Sequence, residues 1–152
     1  MSNYVWRSKR IYKRLASIPG RQGRNGTSIV RIGICEENQA AREQLRYWIL
    51  QVCELYGIEP ELAAYAGENT LLDAMRLRRF DLIFLSRDGP AGFLSVRQLR
   101  EKDPKVKLVF LTDTTQYAVM GVRLHLTDYI VKPAEFKHMV RALKLAGVGN
   151  GR

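Results

Sequence analysis

The chain has 152 residues, 46% of them apolar and 26% charged, with a formal charge of +10. This is the size of one ordinary domain with a proper core, and too apolar for a disordered polymer. No apolar run approaches the roughly 18–20 residues that span a bilayer, the start lacks the apolar stretch of a secretory signal, and two cysteines make no disulfide framework.

Charge is concentrated at the N-terminal end. Arg7, Lys9, Arg10, Lys13, Arg14, Arg21 and Arg24 fall within residues 1–28 with no acid, so +7 of the total +10 sits there. Tyr4, Ile11, Leu15 and Ile18 recur at helical spacing among them. That pattern makes a short amphipathic helix, marginal by itself. "GRQGRNGTS" then reads as a linker. Residues 1–28 are therefore expected to form a basic arm and linker, 29–147 a globular domain, and 148–152 a short tail.

From Ile29 strand and helix patterns alternate. "IVRIGIC" (29–35) is β-branched and apolar, a strand. Residues 39–57 place Leu45, Trp48, Ile49, Val52 and Leu55 on one helical face, with Gly57 as the stop. A short strand is expected at 61–65 and a helix at 68–79. "FDLIFLS" (80–86) is a continuous apolar strand, the kind buried on both faces. A helix at 92–103, a buried strand at 106–112, a weaker helix at 114–124, a strand at 127–132 and a closing helix at 134–147 complete the pattern. Cys35 and Cys53 lie in apolar runs and are expected as buried, reduced thiols.

Five strand–helix units predict an α/β fold, an open parallel sheet covered by helices on both faces. In such sheets, sites form at the carboxyl ends of the strands. The residues there are Glu36-Glu37 after the first strand, Ser86 after the third, Thr112-Asp113 after the fourth and Lys132-Pro133 after the fifth. Two acids, a hydroxyl and a lysine are thus expected on one edge. Paired acids alone usually mark a helix N-terminus, where negative charge is favoured.

Taken together, "RIGICEEN", "FDLIFL", "VKLVFLTD…QYA" and "DYIVKP" resemble the receiver domain of bacterial response regulators. The similarity is in particular to receivers joined to LytTR-type DNA-binding domains. It covers residues 29–146 and implies a flavodoxin-like (βα)5 three-layer sandwich with strand order 2-1-3-4-5, an order for which a receiver is itself a standard example. It also implies two-component signalling. In that family an aspartate after the third strand takes a phosphoryl group, as a carboxylate nucleophile can. Acids after the first strand hold Mg²⁺, a hard cation suited to carboxylates. The resemblance assigns Glu36 and Glu37 to the acids, Thr112 to the switch hydroxyl, Tyr129 to the switch aromatic, Lys132 to the phosphate-binding lysine and Pro90 to the proline of the following loop.

The same register puts Ser86 at the phosphoacceptor position. Serine is a weak nucleophile without an adjacent base, and it removes one metal ligand and one negative charge. The pocket can then hold a lysine–carboxylate pair with no phosphate. Asp88 completes an acidic set with Glu36 and Glu37, and could act as an unusual acceptor only if its turn moved by several ångströms. Asp113 stands where the family usually has a small residue. The expectation is a pseudo-receiver, a non-enzymatic, cytoplasmic regulatory protein in signal transduction or transcription control. No cofactor is expected beyond weak Mg²⁺ at Glu37.

The resemblance further implies a partner or self-association surface on the fourth helix, fifth strand and fifth helix. Tyr117, Met120, Arg123, His125, Tyr129, His138, Met139 and Arg141 are expected to line it. With only "VGNGR" after the closing helix, no DNA-binding module is expected within this chain. The alternative effector is the arm, where Tyr4, Trp6 and Tyr12 interleave with Arg7, Lys9, Arg10, Lys13 and Arg14. That pattern suits nucleic-acid phosphates with base stacking, an anionic membrane surface, or a protein partner.

Overall fold

The computed structural model describes residues 29–148. The residues of the expected basic arm, Trp6, Arg7, Lys9, Arg10, Lys13 and Arg14 included, lie outside the described residues. Ten elements follow one another: β1 (Ile29–Glu36), α1 (Gln39–Leu55), β2 (Glu59–Tyr65), α2 (Glu68–Leu77), β3 (Leu82–Ser86), α3 (Gly89–Lys102), β4 (Lys107–Thr112), α4 (Ala118–Arg123), β5 (Asp128–Val131) and α5 (Phe136–Ala146). The strands form one sheet in the order β2-β1-β3-β4-β5. Every neighbouring pair is parallel. This is the flavodoxin-like arrangement expected from the sequence.

Helices cover both faces of the sheet. On one face, Leu45, Ile49, Leu50, Val52 and Cys53 of α1 pack with Met139, Ala142, Leu143 and Ala146 of α5 against Ile32, Ile34, Phe84 and Val109. On the other, Leu71 and Met75 of α2 and Val96 and Leu99 of α3 pack against Ile83, Leu85, Leu108 and Phe110. β3 lies between these layers with all five residues buried, as its unbroken apolar run predicts. Both cysteines are buried free thiols. Burial, with Glu68 nearby, pushes Cys35 up to about 11, and burial pushes Cys53 up to about 12, so both stay protonated at neutral pH.

Boundaries shift where side chains redirect the backbone. α1 is capped by the Asn38 side chain, which accepts from Ala41 N at 2.8 Å. Its last turn runs past the core, so Leu55, expected on the buried face, is 70% exposed. Phe80 lies before β3 and packs under the Arg31 guanidinium at 4.0 Å. α3 begins at Gly89 with Pro90 in its first turn, where a missing N–H costs nothing. Pro90 is therefore helical, where the resemblance implied a loop. α4 is shorter than expected, because Tyr117 lies outside it and stacks on Phe93 with centroids 5.0 Å apart. Met139, expected on the surface, is fully buried between α5 and the sheet.

Gly92 marks the closest approach of α3 to the site. A Cβ there would collide with the Arg87 carbonyl oxygen, come within 2.9 Å of the Arg87 carbonyl carbon, and sit 3.2 Å from the Phe110 ring. Backbone cannot yield as a flexible side chain can. Gly92→Ala is expected to destabilise the fold by about 1–3 kcal/mol despite alanine's better helix propensity. Urea unfolding followed by circular dichroism measures it; an unchanged midpoint would mean that α3 shifts freely.

Candidate functional site

Strand register explains how distant residues meet. Glu36 pairs with Ser86 across β1 and β3, and Ser86 pairs with Leu111 across β3 and β4. Thr112 pairs with Val131, and the Lys132 N–H donates to the Thr112 carbonyl at 2.8 Å. The carboxyl ends of β1, β3, β4 and β5 therefore lie side by side. Glu36, expected just beyond its strand, is the last residue of β1, which aims its side chain at Ser86.

Three polar groups here are buried in the fold: Glu36, Ser86 and Thr112. The Ser86 Oγ donates to Glu36 Oε1 at 2.5 Å. Glu36 Oε2 accepts from the Asn38 N–H at 2.8 Å. Lys132 Nζ reaches Asp88 Oδ1 at 2.9 Å and Glu36 Oε1 at 3.9 Å. The site is thus a short chain of contacts from Glu36 to Lys132 to Asp88, with Ser86 held against Glu36. The register of β1 and β3 sets a carboxylate beside Ser86. Glu37 lines the cleft from an exposed position.

Asp88 is the N-cap residue of α3, yet it makes no side-chain capping bond. An aspartate in that position ordinarily accepts from the helix's own first N–H groups. Here Lys132 takes the carboxylate instead. Asp113 supplies part of the missing cap, accepting from the Gly89 N–H at 3.3 Å. That contact gives Asp113 a structural role at the site's rim. Thr112 Oγ1 makes only a long 3.4 Å contact to Asp113 Oδ1. Tyr129 donates its hydroxyl to the Thr114 carbonyl at 2.5 Å and sets its ring edge-on to Phe110. Burial, the largest influence, raises the Tyr129 hydroxyl above its ordinary range, so it remains a donor.

One network was not foreseen from the sequence. Arg87 donates to Ser95 Oγ at 2.8 Å and to Glu68 Oε1 at 3.1 Å, while Ser95 Oγ donates to the same Glu68 oxygen at 2.5 Å. It ties the end of β3 to the start of α2 and the middle of α3. An arginine following an apolar strand, with a serine at an inward position of the next helix, is the only trace of it in the sequence. Glu36, Glu37, Glu68, Ser86, Arg87, Asp88 and Lys132 line an open cleft of about 850 Å³ that extends to Thr70.

A Mg²⁺ ion at this edge would have to compete with Lys132 and Ser86 for the oxygens of Glu36 and Asp88. Among the described residues, no three His, Cys, Asp or Glu side chains gather as metal ligands. Glu36 is already occupied by Ser86, Asn38 and Lys132, and Asp88 is held by Lys132. The histidines are also placed elsewhere. His138 Nδ1 accepts from the Glu135 N–H at 2.9 Å as part of the α5 cap, and His125 occupies a turn with φ 57°.

Comparison with known proteins agrees with this fold. Residues 32–144 match the family model of the response regulator receiver domain. The chain is 30% identical over 97 residues to the photosynthetic apparatus regulatory protein RegA of Rhodovulum sulfidophilum, covering 62% of this chain and 53% of RegA. It is 30% identical over 113 residues to the transcriptional regulatory protein LytR of Staphylococcus aureus, covering 72% of this chain and 44% of LytR. The chain thus spans about half the length of these curated relatives. Among solved structures, the response regulatory domain of mrkE from Klebsiella pneumoniae superposes with a TM-score of 0.63 at 21% identity, over 78% of this chain and 95% of that one. The non-phosphorylated HemR receiver domain from Leptospira biflexa gives the same TM-score of 0.63 at 21% identity, with the same 78% and 95% coverage.

Proposed function

This chain belongs to the response regulator receiver domain family, and on that premise we propose that it is a pseudo-receiver, a regulatory module that acts by protein–protein contact without accepting a phosphoryl group. The observation that carries this is the Ser86–Glu36 hydrogen bond at the position where the resemblance puts the acceptor. The pocket's lysine is meanwhile neutralised from within by Asp88 and Glu36. Even with Glu36 alongside, a carboxylate is far too weak a base to remove a serine proton at neutral pH unaided. Asp88 as acceptor would have to leave Lys132, the group that the resemblance assigns to the incoming phosphoryl oxygens.

The partner surface is α4–β5–α5. Val119 and Val122 are 74% and 76% exposed there, with Met120 and Val131 beside them. Arg141, fixed by Asp128 at 2.8 and 3.2 Å, flanks them. An apolar centre with a charged rim suits a protein partner or a second copy of the chain. The likeness to LytR and RegA supports a place in two-component signalling and transcriptional control, and the protonated, buried thiols are in keeping with the cytoplasm. No helix among the described residues is long and apolar enough to cross a membrane.

Incubation with acetyl phosphate and Mg²⁺ tests the proposal, with intact mass spectrometry as the readout. The expected result is an unmodified chain. A phosphoryl adduct that disappears in Asp88→Asn would replace this function with that of an active receiver using Asp88.

A further inference from the structure

We propose that the α4–β5–α5 face binds an acidic amphipathic segment of a partner protein, with apolar residues seated on Val119 and Val122 and carboxylates set against Arg123 and Lys137. This rests on the partner surface assigned above and chooses between a partner and a second copy of the chain. β5 ends the sheet, so among the described residues no strand covers its outer edge. Val119 and Val122 are exposed and three positions apart on α4, which makes them neighbours on the helix surface. Arg123 follows Val119 by four and borders the same strip. On α5, Lys137, Arg141 and Leu145 recur at intervals of four and share one stripe. The bond from Arg141 to Asp128 of β5 turns that stripe toward the same edge.

The valines are held out to water by a helix that is firmly seated. Gly121, on the inner side of α4, lies so close to Leu126 that a Cβ there would come within 2.7 Å of its Cδ1. Arg100 of α3 donates to the Leu124 carbonyl at 3.0 Å and to the His125 carbonyl at 3.3 Å, which fixes the end of α4. Tyr129 fixes the loop that enters α4 through its bond to the Thr114 carbonyl. A surface ordered before binding loses less freedom on association. Contiguous exposed apolar residues rimmed by polar ones mark an interaction site.

Charge selects the occupant. Apart from Lys132, which the pocket holds, α4 through α5 carry Arg123, Lys137, Arg141 and Lys144 against Asp128 and Glu135. Asp128 is taken by Arg141, Glu135 lies 3.7 Å from Lys137, and Lys144 lies over the Tyr56 ring at 5.8 Å. No described carboxylate pairs with Arg123. A second copy would bring the same excess of positive charge, and like charges brought face to face are costly. A nucleic acid offers phosphates but no apolar group to cover the valines. Membrane-surface helices insert Trp, Phe or Leu from a broad apolar face, whereas α4 has six residues and none of these types. A protein segment with apolar residues at helical spacing and Asp or Glu beside them meets both requirements.

Fluorescence anisotropy with the full chain and two short labelled peptides tests this. One peptide carries Leu at i, i+3, i+4 and i+7 with Glu and Ala elsewhere; the other has Lys in place of each Glu. The acidic peptide is expected to bind at least about tenfold more tightly than the lysine peptide, less so as salt rises. Arg123→Glu/Lys137→Glu should weaken the acidic peptide roughly 10- to 100-fold, and Val122→Asp should abolish its binding. Unchanged thermal midpoints verify that both variants fold, as surface substitutions allow. Binding of neither peptide overturns the proposal, and so does equal binding of both. A dimer of the natural chain in sedimentation, lost in Val122→Asp, overturns it by making a second copy the occupant. The phosphoryl reading fails only by an adduct in mass spectrometry, which none of these outcomes produces, so the two failures are distinguishable.

Discussion

Ser86→Asp should turn a pocket indifferent to Mg²⁺ into one that needs it. Ser86 Oγ sits 2.5 Å from Glu36 Oε1. A carboxylate introduced there loses that donor and faces a second anion at contact distance. Two acids so placed cannot both ionise without a proton or a cation between them. Without metal the variant should be less stable than the natural chain by roughly 1–3 kcal/mol. Mg²⁺ should restore it, adding about 1.4 kcal/mol when tenfold above its dissociation constant, or roughly 5 °C in a domain of this size. The natural chain should melt at one temperature with or without the ion. Calorimetry in EDTA and in Mg²⁺ reads the difference. Acetyl phosphate with Mg²⁺ should then leave a phosphoryl adduct on the variant alone. If the variant shows neither metal dependence nor adduct, Ser86 is not what separates this pocket from an active one, and the hold of Lys132 on Asp88 becomes the stronger barrier.

The largest loss of stability is expected from Phe110→Ala. Phe110 is fully buried in β4. Its ring meets Tyr129 edge-on with centroids 5.5 Å apart and lies against Gly92 of α3. Removing it opens a cavity between strand and helix where backbone contact prevents collapse. Such changes cost about 3–5 kcal/mol, a large share of the roughly 5–15 kcal/mol that holds a domain folded. The chemical-denaturation midpoint should fall steeply. A loss below 1 kcal/mol would mean that α3 and Tyr129 close over the gap, and would make this side of the sheet more yielding than its packing implies.

The fold was legible because its signals are local and mutually consistent. Apolar runs such as Leu82–Ser86 have no plausible place except a doubly covered strand, and Gly57 and Gly147 stop their helices with positive φ. The order in which the strands pair is not local and came from resemblance alone. At the site, residue types and strand ends sufficed to bring Glu36, Ser86, Thr112 and Lys132 together. Partners were harder, because they depend on register and on which acid wins a cation. Asp88 looked like part of a turn, yet it caps a helix through its backbone carbonyl alone, since Lys132 competes successfully for its carboxylate. Glu68, Arg87 and Ser95 are separated by 19 and 8 residues, and no periodic pattern links them. Leu55 and Met139 exchanged roles for a simpler reason: helical periodicity gives a face but not the depth at which a helix leaves the core.

The tie from Lys132 to Asp88 joins the loop before α5 to the first residue bordering α3. Because its cation is covalently part of the chain, it cannot be diluted, chelated or hydrolysed away. On the proposed function, a module wired in this manner would keep a constant setting while the cell's ion and phosphoryl levels vary. Its influence on a partner would then scale with how many copies are made and how long each survives, which moves control from the pocket to synthesis and turnover.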